Sequence, residues 1–406
     1  MTTLIGGSGC IVKVVGDKVI KYATSEPALL KLREQLEYLL ANQDSNPQLP
    51  KVLDYGSNYY VMPRYYGYTL GATPDILKVY QSIQSRSTQN NIDFSIHDYF
   101  CSKVYKLLNS GDVYPSDDFL YDLTDYKITG FHGDITRENT IVLPNNSGYM
   151  LVDPNPSKYQ SYGLEMGKFL FSVTYGYEEL KCGEPSIGIE LEGTSVEDHF
   201  YAATHFIRVL PYNNNEVFRN KYNEIMWKVL YRTYTNKSLY IFDFDGVLVN
   251  SDRLNIAGYS YAMGKDITTE YYKYKGLSYK ESIPLMMGVN NLTDREVDCI
   301  HKAKISYYKK NLNQIDINTR VLNFYIQMVT ESKAVIYSCA SPECVESVLH
   351  LRGIPCKKVF YTSNKHNTQI FKDMGVVKED CIMVDDSRSN MDFYNKEHVD
   401  YIGVKS

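Results

Sequence analysis

Two aspartates that can perform phosphoryl chemistry, Asp243 and Asp245, stand one residue apart directly after the apolar run 239–242. In a parallel sheet the functional groups lie just past the carboxyl ends of the strands, which is where this pair is placed. A carboxylate at the first position can attack phosphorus, and an acid at the second can protonate the leaving alkoxide. Because a carboxylate is a weak nucleophile that phosphate repels, the attack needs a metal ion and other cations nearby.

Three further polar groups follow in chain order, each at or just past the end of a short apolar run. The hydroxyl of Ser338 can bind a phosphoryl oxygen, and the ammonium of Lys365 can neutralise charge on the phosphate and on Asp243. The pair Asp385 and Asp386 is suited to holding Mg²⁺ through oxygen ligands. Apolar runs that alternate with helical stretches predict βαβ units and a parallel sheet. A D-x-D pair alone would also fit an ordinary strand end, but four such groups in this order favour one site.

These four elements resemble the motifs of the haloacid dehalogenase (HAD) superfamily, and the resemblance extends over about residues 239–406. It implies an α/β Rossmann-like domain with a helical cap inserted at about 252–333. It also implies that Asp243 is the nucleophile and a metal ligand. Asp245 would be the acid and base, with its backbone carbonyl also on the Mg²⁺, and Asp386 would be a further metal ligand.

The chain departs from the family pattern at Asn390, where many members have a second acid four residues after the Asp386 position. An amide there can still hold a metal-bound water. Asp245 favours a phosphatase over a dehalogenase, because dehalogenases of this family lack that acid. The resemblance therefore implies hydrolysis of a phosphomonoester.

A second set of polar residues lies in the first half of the chain, where Asp134 and Asn139 belong to one motif and Asp153 follows an apolar stretch. Phosphoryl transfer from a nucleotide needs a carboxylate to orient the acceptor hydroxyl and oxygen ligands to hold Mg²⁺. Asp134 can serve as the base, while Asn139 and Asp153 can supply the ligands. A turn at 145–148 between two apolar strands would bring these two ligands together.

Glycines near the start of the sequence, Gly6, Gly7 and Gly9, stand between β-like residues, and Lys21 ends a neighbouring strand. Backbone amides of such a loop can close over phosphates, and a lysine can pair with their oxygens, although a glycine run alone more often forms a plain turn. A helix is predicted to follow, with leucines on one face. Glu37 flanks that face, so helical geometry favours Glu37 as the carboxylate that pairs with Lys21.

The order of these elements resembles the aminoglycoside phosphotransferase and choline kinase-like group of the protein-kinase-like fold, over about residues 1–236. The resemblance implies a bilobal α+β domain that uses ATP and Mg²⁺, with Met62 near the hinge that packs the adenine. It also implies a small-molecule hydroxyl as the phosphate acceptor. The segments 162–170 and 205–212 resemble kinase-like proteins from surface-polysaccharide clusters, which favours a substrate from a glycan pathway.

Composition and charge argue against nucleic-acid-binding, membrane-spanning, zinc-binding and disulfide-rich classes of protein. The formal net charge of −5 gives no basic footprint for nucleic acid, and no apolar run approaches the roughly 20 residues that span a bilayer. The eight cysteines include no C-x-x-C pair, so neither structural zinc nor a disulfide framework is expected. No signal peptide is visible, and a cytoplasmic location is expected. The polar stretch 233–238 predicts the boundary between domains 1–236 and 239–406.

The two sites together predict a bifunctional enzyme that phosphorylates a small-molecule hydroxyl and hydrolyses a phosphomonoester, with a glycan or surface-polysaccharide pathway as its setting. One alternative is a nucleic-acid end-processing kinase and phosphatase. Such kinases need a G-x-x-x-x-G-K-[ST] phosphate loop, which this sequence lacks. Another alternative is a HAD phosphatase regulated by a kinase-like module that has no activity of its own.

Overall fold

The protein folds into two compact units in a computed structural model that describes residues 2–5, 9–100, 112–186, 188–211, 216–275, 277–289 and 291–405. The first unit comprises Met1–Gly111 and Tyr121–Val229, and the second comprises Asp112–Leu120 and Leu230–Ser406. None of the helices in these described ranges combines the length and apolar character needed to cross a bilayer.

The strands of the described chain form five sheets. In chain order they are β1 (Thr2–Ile5), β2 (Cys10–Val15), β3 (Lys18–Ala23), β4 (Asp54–Tyr55), β5 (Tyr59–Pro63), β6 (Tyr68–Thr69), β7 (Ser87–Asn91), β8 (Val113–Pro115), β9 (Tyr126–Ile128), β10 (Thr140–Val142), β11 (Tyr149–Leu151), β12 (Leu239–Phe242), β13 (Val249–Asn250), β14 (Asp316–Ile317), β15 (Ala334–Ser338), β16 (Val359–Tyr361), β17 (Cys381–Asp385) and β18 (Asp400–Val404). The first unit contains the antiparallel sheets β1-β2-β3-β5-β4 and β11-β10-β6 and the pair β7-β9. The second contains the sheet β16-β15-β12-β17-β18-β8 and the pair β13-β14.

The described residues also form α-helices. In chain order they are α1 (Glu26–Asn42), α2 (Thr73–Ser85), α3 (Ile96–Tyr99), α4 (Asp117–Asp122), α5 (Tyr162–Val173), α6 (Tyr177–Lys181), α7 (Val196–Val209), α8 (Glu216–Thr233), α9 (Asp252–Met263), α10 (Thr268–Tyr274), α11 (Tyr279–Met287), α12 (Asp294–Lys310), α13 (Thr319–Thr330), α14 (Pro342–Arg352), α15 (Gln369–Met374) and α16 (Arg388–Lys396). Local sequence sets several of the helix starts. Ser25, for example, caps α1 by accepting a hydrogen bond from the backbone amide of Ala28, and Pro27 occupies its first turn.

The six-stranded sheet of the second unit aligns the carboxyl ends of its central strands. β15, β12 and β17 are parallel, and the end of β12 at Phe242 lies beside Ile336 on one side and Val384 on the other. The residues that follow these positions therefore emerge along one edge of the sheet, as the apolar runs predicted.

Four helices from α9 to α12, residues 252–310, form a helical insertion between β12 and β15 of this sheet. Part of the insertion has an apolar core of its own, made by Tyr259, Ile267, Tyr271, Ile283, Met286 and Val297. The insertion is shorter than the cap expected at 252–333, because α13 packs on the sheet. The ring centroid of Phe324 in α13 lies 5.5 Å from that of Tyr240 and 5.9 Å from that of Phe242.

The division of the chain differs in two places from the contiguous domains 1–236 and 239–406 that the sequence indicated. The units meet in the chain within α8, between Val229 and Leu230. In addition, β8 belongs to the second unit, where Tyr114 pairs antiparallel with Gly403 of β18. β8 pairs with β18 and so covers the backbone hydrogen-bonding groups on that edge of β18. An uncovered edge strand is prone to pair with another chain.

Candidate functional sites

Asp243 lies at the carboxyl end of β12, buried between the neighbouring strands of the sheet. Its backbone amide donates to the carbonyl of Val384 at 2.8 Å, which fixes the start of the turn after the strand. Its Oδ1 accepts from the amide of Phe244 at 2.6 Å, and its Oδ2 lies 2.5 Å from Nζ of Lys365. The predicted nucleophile and the predicted cation are therefore in contact.

Three carboxylates meet at this edge of the sheet. Asp243, Asp385 and Asp386 each offer an oxygen, and these atoms all lie within 4.8 Å of one another. Burial raises the pKa of Asp243, and the two other carboxylates raise it further against the opposing charge of Lys365. Burial would lower the pKa of Lys365, but Asp243 and Asp385 outweigh it and raise that pKa. Lys365 pairs with two of the three acids, and their converging oxygens fit a divalent cation.

Asp385 is held by the protein on both of its oxygens. Oδ1 accepts from the amide of Ser387 at 2.9 Å, Oδ2 accepts from Lys365 at 3.1 Å, and the amide of Asn390 donates to both oxygens at 3.1 Å. A carboxylate accepts about four hydrogen bonds, so Asp385 is nearly saturated. Asn390 orients Asp385 through its side-chain nitrogen, and its role in holding a metal-bound water stays a prediction. Asp243 and Asp386 are the better ligands for a cation.

Gly246 leaves the space that the carboxylate of Asp386 occupies. Gly246 has φ +83°, a left-handed conformation that favours glycine. A Cβ on this residue would lie 2.0 Å from Oδ2 of Asp386. The turn after β12 therefore needs glycine for its backbone and for the approach of this carboxylate.

Asp245 and Ser338 complete the set that was predicted around the nucleophile. The hydroxyl of Ser251 donates to Oδ1 of Asp245, and burial raises the pKa of Asp245 against that hydrogen bond. A raised pKa suits a group that must deliver a proton. The Oγ of buried Ser338 accepts from the amide of Ala340 at 3.0 Å, so its own proton remains available to a phosphoryl oxygen.

A cavity of about 580 Å³ opens beside Asp245. It lies between the helical insertion and the segments that follow β15 and β16. Its lining combines rings, hydroxyls and amines: Tyr259, Tyr271, Tyr274, Tyr279, Tyr308 and Tyr361, with Ser278, Ser282, Ser341, Thr362, Ser363, Lys275, His301 and Lys304. Sites of this size hold small molecules in proteins. Sequence reasoning did not identify this cavity, because its lining residues are scattered over six elements.

In the first unit, Lys21 has a partner in α1 that the sequence did not indicate, Gln35. Its Nζ contacts Oδ1 of Asp153 and donates to Oε1 of Gln35 at 2.9 Å. The prediction that Glu37 is its partner is wrong, because Glu37 is exposed on the opposite side of α1. Gln35 shares the buried face of α1 with Leu32, which turns it towards the sheet.

Asp134 lies beside Asn139, as the motif predicted. The side-chain amide of Asn139 donates to Oδ2 of Asp134 at 2.9 Å, and Nζ of Lys168 lies 3.0 Å from its Oδ1. Burial opposes ionisation, but the charge of Lys168 outweighs it and holds the pKa of Asp134 below its usual range. Because Asn139 uses its nitrogen here, its Oδ1 is left to serve as a metal ligand.

The predicted hairpin between the two proposed metal ligands is confirmed. β10 and β11 pair antiparallel with Thr140 opposite Leu151, and the amide of Val152 donates to the carbonyl of Asn139 at 2.9 Å. Asn139 and Asp153 therefore stand at the same end of the hairpin. Asp153 has φ +60°, which turns its side chain out of the strand direction.

Glu165 in α5 supports the Asp134 loop from behind, and it too was not assigned from the sequence. Its buried carboxylate accepts from the backbone amides of His132 at 2.9 Å and Gly133 at 2.8 Å, and it lies 3.5 Å from Arg86. The available signal was the acidic-then-basic pattern of the segment 162–170, which includes both Glu165 and Lys168.

Of the residues expected at the nucleotide, Gly6 and Gly7 lie outside the residues that the structure describes. Gly9 precedes β2 with φ +76°, in the left-handed region. Met62 is half-buried in β5, opposite Val19 of β3, on the sheet that also carries Lys21. The structure thus places Met62 and Lys21 on neighbouring strands.

No protein-family model matches the chain, and no curated protein does. Solved structures align with about two fifths of it. A HAD hydrolase of family IA, variant 3, from Entamoeba histolytica is 17% identical, with a TM-score of 0.35 and coverage of 40% of this chain and 81% of that one. β-Phosphoglucomutase from Clostridium difficile is 20% identical, with a TM-score of 0.35 and coverage of 40% and 82%. CbbY from Rhodobacter sphaeroides, solved in complex with phosphate, is 14% identical, with a TM-score of 0.34 and coverage of 40% and 84%. At these values the similarity assigns no activity to this chain, which has to be inferred from its side chains.

Proposed function

We propose that the second unit is a Mg²⁺-dependent phosphomonoester hydrolase of the HAD type, acting through a phosphorylated Asp243. The observation that carries this proposal is the cluster of three carboxylates, two of them buried, in which Lys365 pairs with Asp243 and Asp385. Three carboxylates that converge at the edge of a sheet where ligands bind supply the oxygen ligands that a divalent cation needs. A bound Mg²⁺, held by Asp243 and Asp386, would offset the charge of the phosphate.

In the first half-reaction, the carboxylate of Asp243 forms a bond to phosphorus as the bond to the leaving oxygen breaks. The ammonium of Lys365 neutralises negative charge on Asp243 and on the phosphoryl group, and the hydroxyl of Ser338 donates to a phosphoryl oxygen. Asp245 gives its proton to the leaving alkoxide, which departs as the alcohol. The raised pKa of Asp245, caused by burial, supports this assignment.

In the second half-reaction, the now ionised Asp245 accepts a proton from a water molecule. The oxygen of that water bonds to phosphorus, and the bond to Asp243 breaks. Inorganic phosphate leaves, and both aspartates return to their starting protonation states. Ser251 donates to Asp245 and keeps its carboxylate in one orientation through both steps.

The test of this activity is release of phosphate from p-nitrophenyl phosphate and from a panel of sugar and polyol phosphates, with and without Mg²⁺. Asp243→Asn should lower turnover by on the order of a thousandfold or more, because the nucleophile is lost. Asp392→Asn is the matched control, since Asp392 is exposed and pairs with Arg388 in the same helix. Equal turnover by the wild type and Asp243→Asn would exclude the assignment.

For the first unit we propose ATP-dependent phosphorylation of a small-molecule hydroxyl. The observation that favours it is the ionised Asp134 next to Asn139, with Asp153 at the same end of the hairpin. Asp134 would accept the proton of the acceptor hydroxyl. Asn139 and Asp153 would hold Mg²⁺ against the phosphates of ATP, and Lys21 would contact phosphate oxygens. The resemblance to kinase-like proteins of surface-polysaccharide clusters makes sugars the first acceptors to test.

The kinase test measures ADP formed with sugars, amino alcohols, nucleosides and a 5′-hydroxyl oligonucleotide as acceptors. Asp134→Asn should abolish acceptor-dependent ADP formation and leave phosphate release by the second unit intact, with Asp44→Asn, at an exposed position, as the control. If Asp134→Asn changes neither activity, the first unit is a regulatory module. Phosphorylation of the oligonucleotide alone would favour nucleic-acid end processing.

A further inference from the structure

One lysine of the helical insertion, Lys304 in α12, is buried and faces the cavity. Only 8% of its surface is exposed, and it lines the same cavity as Asp245. Its Nζ lies 5.3 Å from the ring centroid of Tyr259 and 4.9 Å from that of Tyr308. Among the residues that the structure describes, Lys304 has no hydrogen-bond or ion-pair partner.

The neighbouring acids have other partners. Asp252 accepts from Tyr271 at 3.0 Å and from Lys275 at 2.8 Å, and Asp245 accepts from Ser251. The remaining acids nearby are also occupied: Asp298 accepts from Tyr279, and Glu343 accepts from Lys309.

A buried ammonium without a carboxylate is costly, because buried charges in proteins are normally paired or hydrogen-bonded. The two tyrosine rings offer cation–π attraction, which offsets part of that cost. Burial accordingly lowers the pKa of Lys304, and the negative charge of Asp245 opposes that shift. None of the described carboxylates forms a hydrogen bond or an ion pair with this ammonium.

We propose that Lys304 binds an anionic substituent, a carboxylate or a second phosphate, on the alcohol portion of the phosphomonoester substrate. This inference rests on the hydrolytic function proposed for the second unit. The phosphoryl group is fixed at Asp243 and Lys365, so the leaving oxygen points to Asp245 and the alcohol portion extends into the cavity. Lys304 lines that cavity, and a substrate anion would pair with it there.

The other residues that line the cavity indicate the chemistry of the substrate between its phosphoryl group and its second anionic group. Ser282, Ser341 and Ser363 line the cavity beside the tyrosine rings, and His301 stacks on Tyr279 at 3.9 Å between ring centroids. Such a lining accepts a chain or ring with several hydroxyls, because hydroxyls bind hydroxyls and C–H faces pack on rings. A cavity of about 580 Å³ accommodates a sugar-sized alcohol. The substrate class is thus an acidic sugar or polyol phosphate, or a sugar bisphosphate.

The experiment compares kcat/KM for two matched substrate pairs. 6-Phosphogluconate and sorbitol 6-phosphate differ in one carboxylate, and fructose 1,6-bisphosphate and fructose 6-phosphate differ in one phosphate. The wild type should prefer the anionic member of at least one pair, and the pair that responds identifies the anion. Lys304→Met should lower that preference by about tenfold to a hundredfold, the value of one charge-assisted hydrogen bond. Lys304→Gln, which keeps a polar end, serves as a second variant if Lys304→Met is unstable.

Lys302→Met is the matched control, because Lys302 lies in the same helix and is exposed. It should retain the wild-type preference. An equal loss for both members of each pair would overturn the inference, since Lys304 would then act on Asp245 instead of on the substrate. Wild-type phosphate release without preference for an anionic member would overturn it too. No phosphate release from any substrate would overturn the proposed hydrolysis itself.

A binding measurement separates affinity from turnover. In the Asp243→Asn background, titration calorimetry with the preferred anionic substrate should give a Kd that rises about tenfold or more when Lys304→Met is added. An unchanged Kd would contradict a direct contact between Lys304 and the substrate.

Discussion

The side-chain oxygen of Gln35 accepts from the ammonium of Lys21 at 2.9 Å, while its amide nitrogen donates to Oδ1 of Asp153 at 2.5 Å. The same nitrogen donates to the carbonyl of Pro154 at 2.7 Å. Gln35 therefore bridges the ammonium of Lys21 and the carboxylate of Asp153, which also contact each other directly. An amide can accept at one end and donate at the other, whereas an ionised glutamate can only accept.

Replacing Gln35 by Glu should therefore destabilise the first unit. The new carboxylate would lie beside Asp153 and could not donate to it or to Pro154, so the free energy of unfolding should fall by about 1–3 kcal/mol. Urea unfolding measures the change. Glu37→Gln is the matched control, since Glu37 is exposed in the same helix, and its effect should stay within about 0.5 kcal/mol. A larger effect of Glu37→Gln than of Gln35→Glu would restore Glu37 as the partner of Lys21.

Gly246→Ala should impair the metal site more than the fold. The new Cβ would lie 2.0 Å from Oδ2 of Asp386, so this carboxylate would have to move out of the cluster. We expect the Mg²⁺ concentration for half-maximal phosphate release to rise about tenfold or more. Gly264→Ala controls for backbone strain, because Gly264 also has a positive φ, +67°, but has open space around its Cβ position. Both variants should lose about 1 kcal/mol of stability, and an equal change in Mg²⁺ dependence would exclude a specific role for Gly246.

Lys365→Met should make the second unit dependent on Mg²⁺ for its stability. Without the ammonium, the carboxylates of Asp243 and Asp385 lose their buried counter-charge, which costs about 3–5 kcal/mol. Differential scanning fluorimetry should show a larger rise in Tm on adding Mg²⁺ for the variant than for the wild type. Phosphate release should fall by about a hundredfold or more. Lys372→Met, at an exposed position, should match the wild type in both measurements.

His132 should make the first unit less stable in mild acid. Burial is the main cause that lowers the pKa of His132 from 6.5 to about 4. As the pH falls below 6.5, the unfolded chain binds a proton that the folded chain excludes until about pH 4, so the free energy of unfolding decreases across this window. The contribution amounts to about 3 kcal/mol at most.

The measurement for this residue is urea unfolding at pH 7.5 and at pH 5 for the wild type and for His132→Asn. The variant should lose less stability than the wild type between the two values, because it lacks the proton-binding group. His350→Asn, at an exposed position, should behave as the wild type does. Equal losses in the wild type and His132→Asn would show that His132 does not titrate in this range.

Residues at strand ends could be placed from the sequence because parallel strands align their ends. Asp243, Ser338 and Asp386 needed only the apolar runs before them, since the sheet then brings the following residues to one edge. The hairpin that holds Asn139 and Asp153 was predictable for a similar reason, since two short apolar runs enclose a turn.

The sequence could not place residues whose role depends on which face of a helix packs against its neighbours. Gln35 and Glu37 are two positions apart in α1, and the rotation of the helix on the sheet decides which of them meets Lys21. The apolar face of α13 likewise fits a cap or a sheet equally well in sequence, and the contacts of Phe324 with Tyr240 and Phe242 show that it packs on the sheet. Lys304 resembles any surface lysine in a polar helix until its tyrosine neighbours are known.

The position of β8 in the sheet of the second unit determines which fragments of this protein can be expressed separately. Because Asp112–Leu120 completes the sheet of the second unit, the polypeptide passes between the two units three times. A recombinant fragment that begins at Leu239 would lack β8, leaving the edge of β18 open to self-association. On the ribosome, β8 emerges long before β18 and has to await its partner until residues 400–404 have been synthesised. We therefore expect separately expressed halves to be insoluble or to recombine only when co-expressed, whereas the intact chain folds.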